Sequence, residues 1–177
     1  PFEEARMSTA PANPPPMIPL HGLTEAIHIS ESEVPFVDTG DGGSMQLLQV
    51  DLNQGLWILR TRMPPGRTIT KHYHTGSVFA VTLKGRWFYK EYPSYVNAPG
   101  SYLYEPAGSV HTLMTPKDQE GITDVWFAIY GANINIDEAG NVVGMVDAAA
   151  ILRTYRMLCA AQGLSADKVI VLGEPNS

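Results

Sequence analysis

The stretch GRTITKHYHTGSVFAVTLKG, Gly66 to Gly85, is where the sequence commits to a fold. Its first half places His72 and His74 on either side of Tyr73. In an extended strand alternate side chains share a face, so the two imidazoles stand together, about 7 Å apart at the backbone. Two neutral imidazole nitrogens so placed can grip one metal ion. The second half, Ser77 to Leu83, is apolar and β-branched and runs into Gly85, as a strand closed by a turn does.

Strand-length runs separated by turn residues continue in both directions. Upstream, Met45 to Asp51 and Leu56 to Met63 read as strands, and Trp57, Leu59, Thr61 and Met63 alternate with Ile58, Arg60 and Arg62. One face is therefore mostly apolar and the other charged. Ala26 to Val37 is a shorter β-like run, followed by the turn-rich DTGDGGS, Asp38 to Ser44. Downstream, Arg86 to Glu91 and Ser101 to Glu105 read as strands, and the corner Pro106 to Gly108 leads to His111. Ile122 to Tyr130 alternates Val125, Phe127 and Ile129 against Asp124, Trp126 and Tyr130. Ile134 to Ile136 and Val142–Val143 flank a hairpin turn over Asp137 to Asn141.

One helix is expected, Ala148 to Gln162, with Asp147 as cap, Leu152, Tyr155, Leu158 and Cys159 on one stripe, and Gly163 at its stop. The apolar Val169 to Leu172 reads as a further strand or as an arm reaching a neighbouring subunit. Short strands at regular spacing with one closing helix predict an all-β sandwich or jelly-roll barrel.

The 177 residues, 44% of them hydrophobic, suffice for one well-cored domain. We divide the chain into a Pro-rich arm (1–20, with Pro11, Pro14, Pro15, Pro16 and Pro19), a β-barrel (21–146), and a C-terminal helix and tail (147–177). Met7 and Met17 are both candidate natural starts. A net charge of -6 without any basic cluster argues against a nucleic-acid partner. No apolar run is long enough to span a bilayer, no secretory leader is evident, and the single Cys159 has no disulfide partner, so a cytoplasmic location is expected. His21 and His28 keep no spacing to the other histidines and are read as bystanders.

Two sets of spacings decide between the barrel architectures. Gly66, five residues, His72-Tyr-His74, three residues, Val78, six residues, Gly85 forms the first, and Gly100, five residues, Pro106-Ala-Gly108, two residues, His111, three residues, Thr115 forms the second. They resemble the two motifs of the cupin superfamily, with Val78 at the motif glutamate and Thr115 at the motif asparagine. The resemblance implies a single cupin jelly-roll barrel with a C-terminal helix, and a metal held by His72, His74 and His111. Without a carboxylate at Val78, three neutral imidazoles leave a divalent ion its full charge, which favours an anionic chelating ligand. Up to three positions of an octahedral ion stay open, enough for a bidentate substrate and dioxygen.

A narrower resemblance, running from about Val34 to Gln162, is to the small dioxygenases that cleave carbon–carbon bonds of ketones, such as acetylacetone dioxygenase and 2,4'-dihydroxyacetophenone dioxygenase. It is carried by the three-histidine set, by Glu105 six positions before His111, and by FAIYGANINIDEAGNVVG, Phe127 to Gly144, ahead of the helix. It implies Fe(II) as cofactor, with zinc or nickel taken up on isolation, and a ketone substrate and dioxygen as partners. An aryl hydroxyketone would give 4-hydroxybenzoate and formate. Glu105 would orient a histidine or take a proton, and Tyr89 would bond a substrate oxygen. Trp57, Phe79, Trp87, Tyr104 and Trp126 are candidates for an aromatic pocket wall. The alternatives are a zinc-type cupin with hydrolase or isomerase activity, and a non-catalytic metal- or ligand-sensing cupin like that of some anti-sigma factors. A homodimer or homotetramer is expected.

Overall fold

The computed structural model describes residues 25–173. The Pro-rich arm, His21 and both candidate starting methionines lie outside them. The strands are β1 (Val37–Asp38), β2 (Ser44–Asp51), β3 (Leu56–Met63), β4 (His72–His74), β5 (Val78–Lys84), β6 (Phe88–Tyr89), β7 (Tyr102–Glu105), β8 (Leu113–Met114), β9 (Thr123–Tyr130), β10 (Asn133–Ile136), β11 (Val142–Val146) and β12 (Ile170–Leu172). One helix, α1 (Ala148–Ala161), precedes β12.

The strands form two layers, as in a jelly roll. The larger is a seven-stranded sheet in the order β1-β2-β3-β9-β5-β7, with β12 paired to β2. The second layer holds β11-β10-β4 and β6-β8, which the bridges Thr68↔Met114 and His72↔His111 join edge to edge. The inward faces of the large sheet supply Leu47, Val50, Leu59, Val78, Ala80 and Val125 to the core. The charged face of β3 is covered instead by an ionic cluster. Arg60 and Arg62 each bond buried Asp124 of β9 and exposed Glu31 (Arg60 Nη2 to Asp124 Oδ2, 2.6 Å; Arg62 Nε to the same oxygen, 3.0 Å).

One segment departs from the sequence reading, and a second takes one of the two forms expected of it. The β-like run Ala26 to Val37 contains a 3-10 turn, Glu31–Glu33, and only Val37 enters a strand there. The Ser30-x-x-Glu33 signature accounts for it, since Ser30 N–H donates to Glu33 Oε2 at 2.7 Å and closes a capping arrangement that outweighs β propensity. The Val169 to Leu172 tail resolves as β12 within the same chain, parallel to β2 with Ile170 opposite Gln49 and Leu172 opposite Asp51.

Helix α1 packs on β1, β2 and β3 through Ala148, Ile151, Leu152, Tyr155 and Cys159, the i, i+3, i+4 spacing of one helical stripe. Asp147 Oδ1 accepts from Ala150 N–H at 2.7 Å and starts it. Gln162 then pairs with both backbone groups of Asp38, accepting from its N–H at 2.9 Å and donating to its carbonyl at 3.0 Å. Tyr155 donates its hydroxyl proton to Pro35 O at 2.6 Å, pinning the middle of the helix to the segment before β1. Tyr155→Phe removes that bond and strands a carbonyl. The expected cost is about 1 kcal/mol, read as a fall of about 2–4 °C in Tm. An unchanged Tm would show that the Tyr155 bond adds nothing to the packing and to the Asp147 and Gln162 bonds.

Candidate metal centre and its cavities

The site is assembled by backbone pairing between the two histidine segments. His72 N–H donates to His111 O at 3.0 Å and His111 N–H donates to His72 O at 2.9 Å. The corner before His111 is tied to the same strand, because Gly108 N–H donates to His74 O at 2.8 Å. Gly108 makes that bond at φ +81°, a conformation that side chains with a Cβ rarely adopt. Gly85, which closes the first motif, has φ +72°, and a Cβ there would meet Ile122 O and Thr123 Cα at 2.7 Å. Thr115, at the motif asparagine, is buried; its hydroxyl accepts from Arg67 N–H at 2.8 Å and donates to Pro64 O at 2.7 Å. It therefore anchors the start of the first motif.

His72, His74 and His111 are all buried and each offers one ring nitrogen, the three nitrogens lying within 4.8 Å of one another. The rings stand 4.7 to 5.9 Å apart between centroids. His72 Nδ1 lies 2.6 Å from Thr70 O, and a carbonyl can only accept, so Nδ1 carries the proton and Nε2 keeps its lone pair. Burial lowers the pKa of His72 and takes that of His74 down to about 4, so both rings are neutral near pH 7. Buried His74 Nδ1 and His111 Nε2 have no hydrogen-bond partner. An unpartnered buried His111 Nε2 within a cluster of three histidine ring nitrogens fits a metal ion, and the all-imidazole donor set suits iron, zinc or nickel.

Glu105 completes the cluster. It is 4% exposed, and its Oε2 lies 3.2 Å from His111 Nε2 and 3.6 Å from His74 Nε2 without forming a hydrogen bond. Its Oε1 accepts the hydroxyl proton of Tyr89. Burial opposes ionisation of Glu105, but the closeness of His111 and the Tyr89 bond outweigh it and hold the carboxyl below its ordinary range. Burial and the adjacent carboxylate push the Tyr89 phenol well up, so it stays a donor, and its ring stacks on His111 with centroids 4.1 Å apart. In the β5–β7 register Glu105 stands directly opposite Val78, the position where the first motif lacks its carboxylate. Opposed residues share a sheet face with their Cβ atoms about 5 Å apart. The acid missing from β5 is thus present one strand away.

A cavity of about 240 Å³ opens beside His72, His74, Tyr89 and Glu105. Trp57, Leu59 and Met63 of β3 with Phe127 and Ile129 of β9 form one wall, and Ile69, Leu113, Val146 and Ile151 close the rest. Its remaining polar groups are Thr61 and Asn133, which the sequence reading missed. Asn133 pairs with His74 in the β10–β4 register, and its Nδ2 donates to Asn135 Oδ1 at 3.0 Å. The signal was the alternation in Asn-Ile-Asn-Ile, which sets two amides on the face opposite two isoleucines.

Of the five aromatic residues expected to wall a pocket, Trp57 lines this cavity, its indole N–H donating to Gly131 O at 3.0 Å. Phe79 and Trp126 do not line it, because strand alternation turns them away from their inward neighbours Val78, Ala80, Val125 and Phe127. Trp87 is fully buried edge-on behind Tyr89 and donates to Thr82 Oγ1 at 2.8 Å. Tyr104 lines a second cavity, of about 260 Å³, which shares Tyr89, Glu105 and His111 with the site.

The geometry agrees with what the comparisons find. Residues 24–125 match the family model of the ChrR cupin-like domain. A crystal structure of a protein of unknown function with a cupin-like fold from Ralstonia eutropha JMP134 is 34% identical, covering 88% of this chain and 99% of its own, with a TM-score of 0.77. An RmlC-like cupin from the same organism aligns over 80% of this chain and 91% of its own at 22% identity and a TM-score of 0.74. An acetylacetone dioxygenase from Acinetobacter johnsonii shares the fold at 21% identity and a TM-score of 0.66, over 78% of this chain and 95% of its own. No curated protein matches the sequence significantly. Among the described residues no helix is long and apolar enough to cross a membrane. With more than half its length matched by one family model and both histidine motifs folded onto one centre, the chain belongs to the ChrR cupin-like domain family of cupins.

Proposed function

We propose that the protein is a non-haem Fe(II) dioxygenase that cleaves a carbon–carbon bond of an aryl hydroxyketone or a β-diketone. The observation that carries this reading is the Glu105 carboxylate, whose free Oε2 faces two of three buried imidazoles at the edge of a mostly apolar cavity. His72, His74 and His111 would hold the iron. A ferrous ion there supplies a Lewis acid for the ketone oxygens and electrons for dioxygen.

The chain's own groups do the rest. Glu105, ionised and held by Tyr89 through Oε1, presents Oε2 to remove the acidic proton of the ketone and make the anion that a dication held by three imidazoles favours. Tyr89 keeps its proton and fixes that carboxylate in place. Trp57, Phe127 and Ile129 exclude water from the reacting face and pack against a flat ring. For 2,4'-dihydroxyacetophenone the products are 4-hydroxybenzoate and formate, with both atoms of dioxygen retained. The fold shared with an acetylacetone dioxygenase and the Glu105-to-His111 spacing agree with this chemistry. The cellular setting we propose is the cytoplasm, and the assembly a homodimer or homotetramer.

The direct test is anaerobic loading with ferrous iron followed by oxygen-electrode assays with 2,4'-dihydroxyacetophenone and with acetylacetone. Oxygen uptake equimolar with substrate is expected from the iron protein and none from the zinc or nickel protein. An iron-replete sample that consumes no oxygen with either substrate would leave a metal-binding cupin with a sensing or non-redox role. Glu105→Gln is expected to lower kcat by about 10²- to 10⁴-fold while iron content and KM stay near the parent values. A kcat that survives the change would remove Glu105 as the base.

A further inference from the structure

The second cavity lies across the Tyr89–Glu105 pair from the first. Its floor is Tyr89, Leu103, Glu105 and His111, and its walls include Tyr92, Tyr95 and Tyr104. The three wall tyrosines are unusually open for large aromatic residues: Tyr95 is 71% exposed, and Tyr92 and Tyr104 are each about half exposed. Tyr92 and Tyr95 are stacked at 6.1 Å with 19° between their planes.

The loop that carries them is tied down rather than loose. Trp87 and Asn97 exchange backbone bonds at its base (3.1 and 2.8 Å), and Lys90 N–H donates to Thr112 O at 2.9 Å. Two successive turns follow, Tyr92 N–H to Tyr89 O at 2.9 Å and Tyr95 N–H to Tyr92 O at 3.0 Å. The Glu91 carboxylate accepts from Thr112 N–H at 2.8 Å and from its hydroxyl at 3.0 Å. On the facing wall the Tyr104 hydroxyl lies 3.3 Å from Ser77 Oγ. Exposed rings on an anchored loop present flat apolar area with phenolic edges at little cost in ordering, which suits a planar ring bearing hydroxyl or carbonyl groups.

Charge narrows the ligand further. Among the described residues the lining holds no lysine or arginine, while it holds the Glu105 carboxylate. An anion gains no lysine or arginine partner there and meets a like charge. We infer that this tyrosine-walled cleft is a binding subsite for a neutral aryl ketone, which docks there beside the Tyr89–Glu105 partition before reaching the histidine centre. This deepens the proposed function and takes its ligand class from it.

The test uses the full chain, iron-loaded and kept under nitrogen so that nothing turns over, with 4-hydroxyacetophenone and 4-hydroxybenzoate as calorimetric probes. At the cleft, read as the part of the binding that Tyr92→Ala and Tyr95→Ala remove, the neutral ketone should bind about tenfold more tightly than the benzoate anion. Tyr92→Ala and Tyr95→Ala, both at exposed positions, should each weaken ketone binding by up to about tenfold, with Tm unchanged. Ile151→Phe, which fills the inner cavity, should leave it intact. Ketone affinity unchanged in both tyrosine variants, affinity lost only with Ile151→Phe, or no measurable binding would each overturn the subsite. Because no oxygen is consumed, the subsite can fail while oxygen uptake stands, and the reverse.

Discussion

The pair of backbone hydrogen bonds between His72 and His111 is the constraint on which the rest of the site depends. It joins segments about forty residues apart in the chain and brings a His-x-His strand edge to edge with the third histidine. The Gly108 bond to His74 O repeats the constraint one step along, so neither motif can shift against the other without losing paired backbone groups inside a buried site. Given that pairing, the three rings must converge, and their burial keeps His72 and His74 neutral and their nitrogens available.

The carboxylate is the second element of the arrangement. A valine at position 78 removes an acid from the first motif, yet the β5–β7 register sets Glu105 directly across from it. The replacement differs in kind. Glu105 has one oxygen engaged by Tyr89 and one left facing His74 and His111, an arrangement suited to moving a proton beside a metal. Tyr89 serves both neighbours, stacking on His111 while holding the carboxylate, and its place between two cavities makes it part of both.

Much of this was legible in the sequence where the determinants are local. The spacing of His72 and His74, the positive-φ glycines of the motifs, the alternation in β3 and the stripe of α1 depend on residues a few positions apart. What stayed hidden depends on register between distant strands. That Glu105 would face Val78, that Asn133 would sit beside His74, and that β12 would run along β2 follow from pairings that no short window contains. Alternation separates Phe79 from Val78 and Trp126 from Phe127, but which face is inward is settled only when the second layer is in place. The Ser30-to-Glu33 capping signature is local, but the β-like residues around it mask it in the sequence.

The central claim is that three buried imidazoles, locked by the His72–His111 pairing, hold one ion with the Glu105 carboxylate beside it. Anomalous diffraction at the iron edge from crystals of the anaerobically loaded protein tests this most directly. The account predicts a single iron peak in contact with Nε2 of His72, His74 and His111, with Glu105 Oε2 on its cavity side and His72 Nδ1 still bonded to Thr70 O. An iron peak away from these three nitrogens, or one bound through His72 Nδ1, would contradict it.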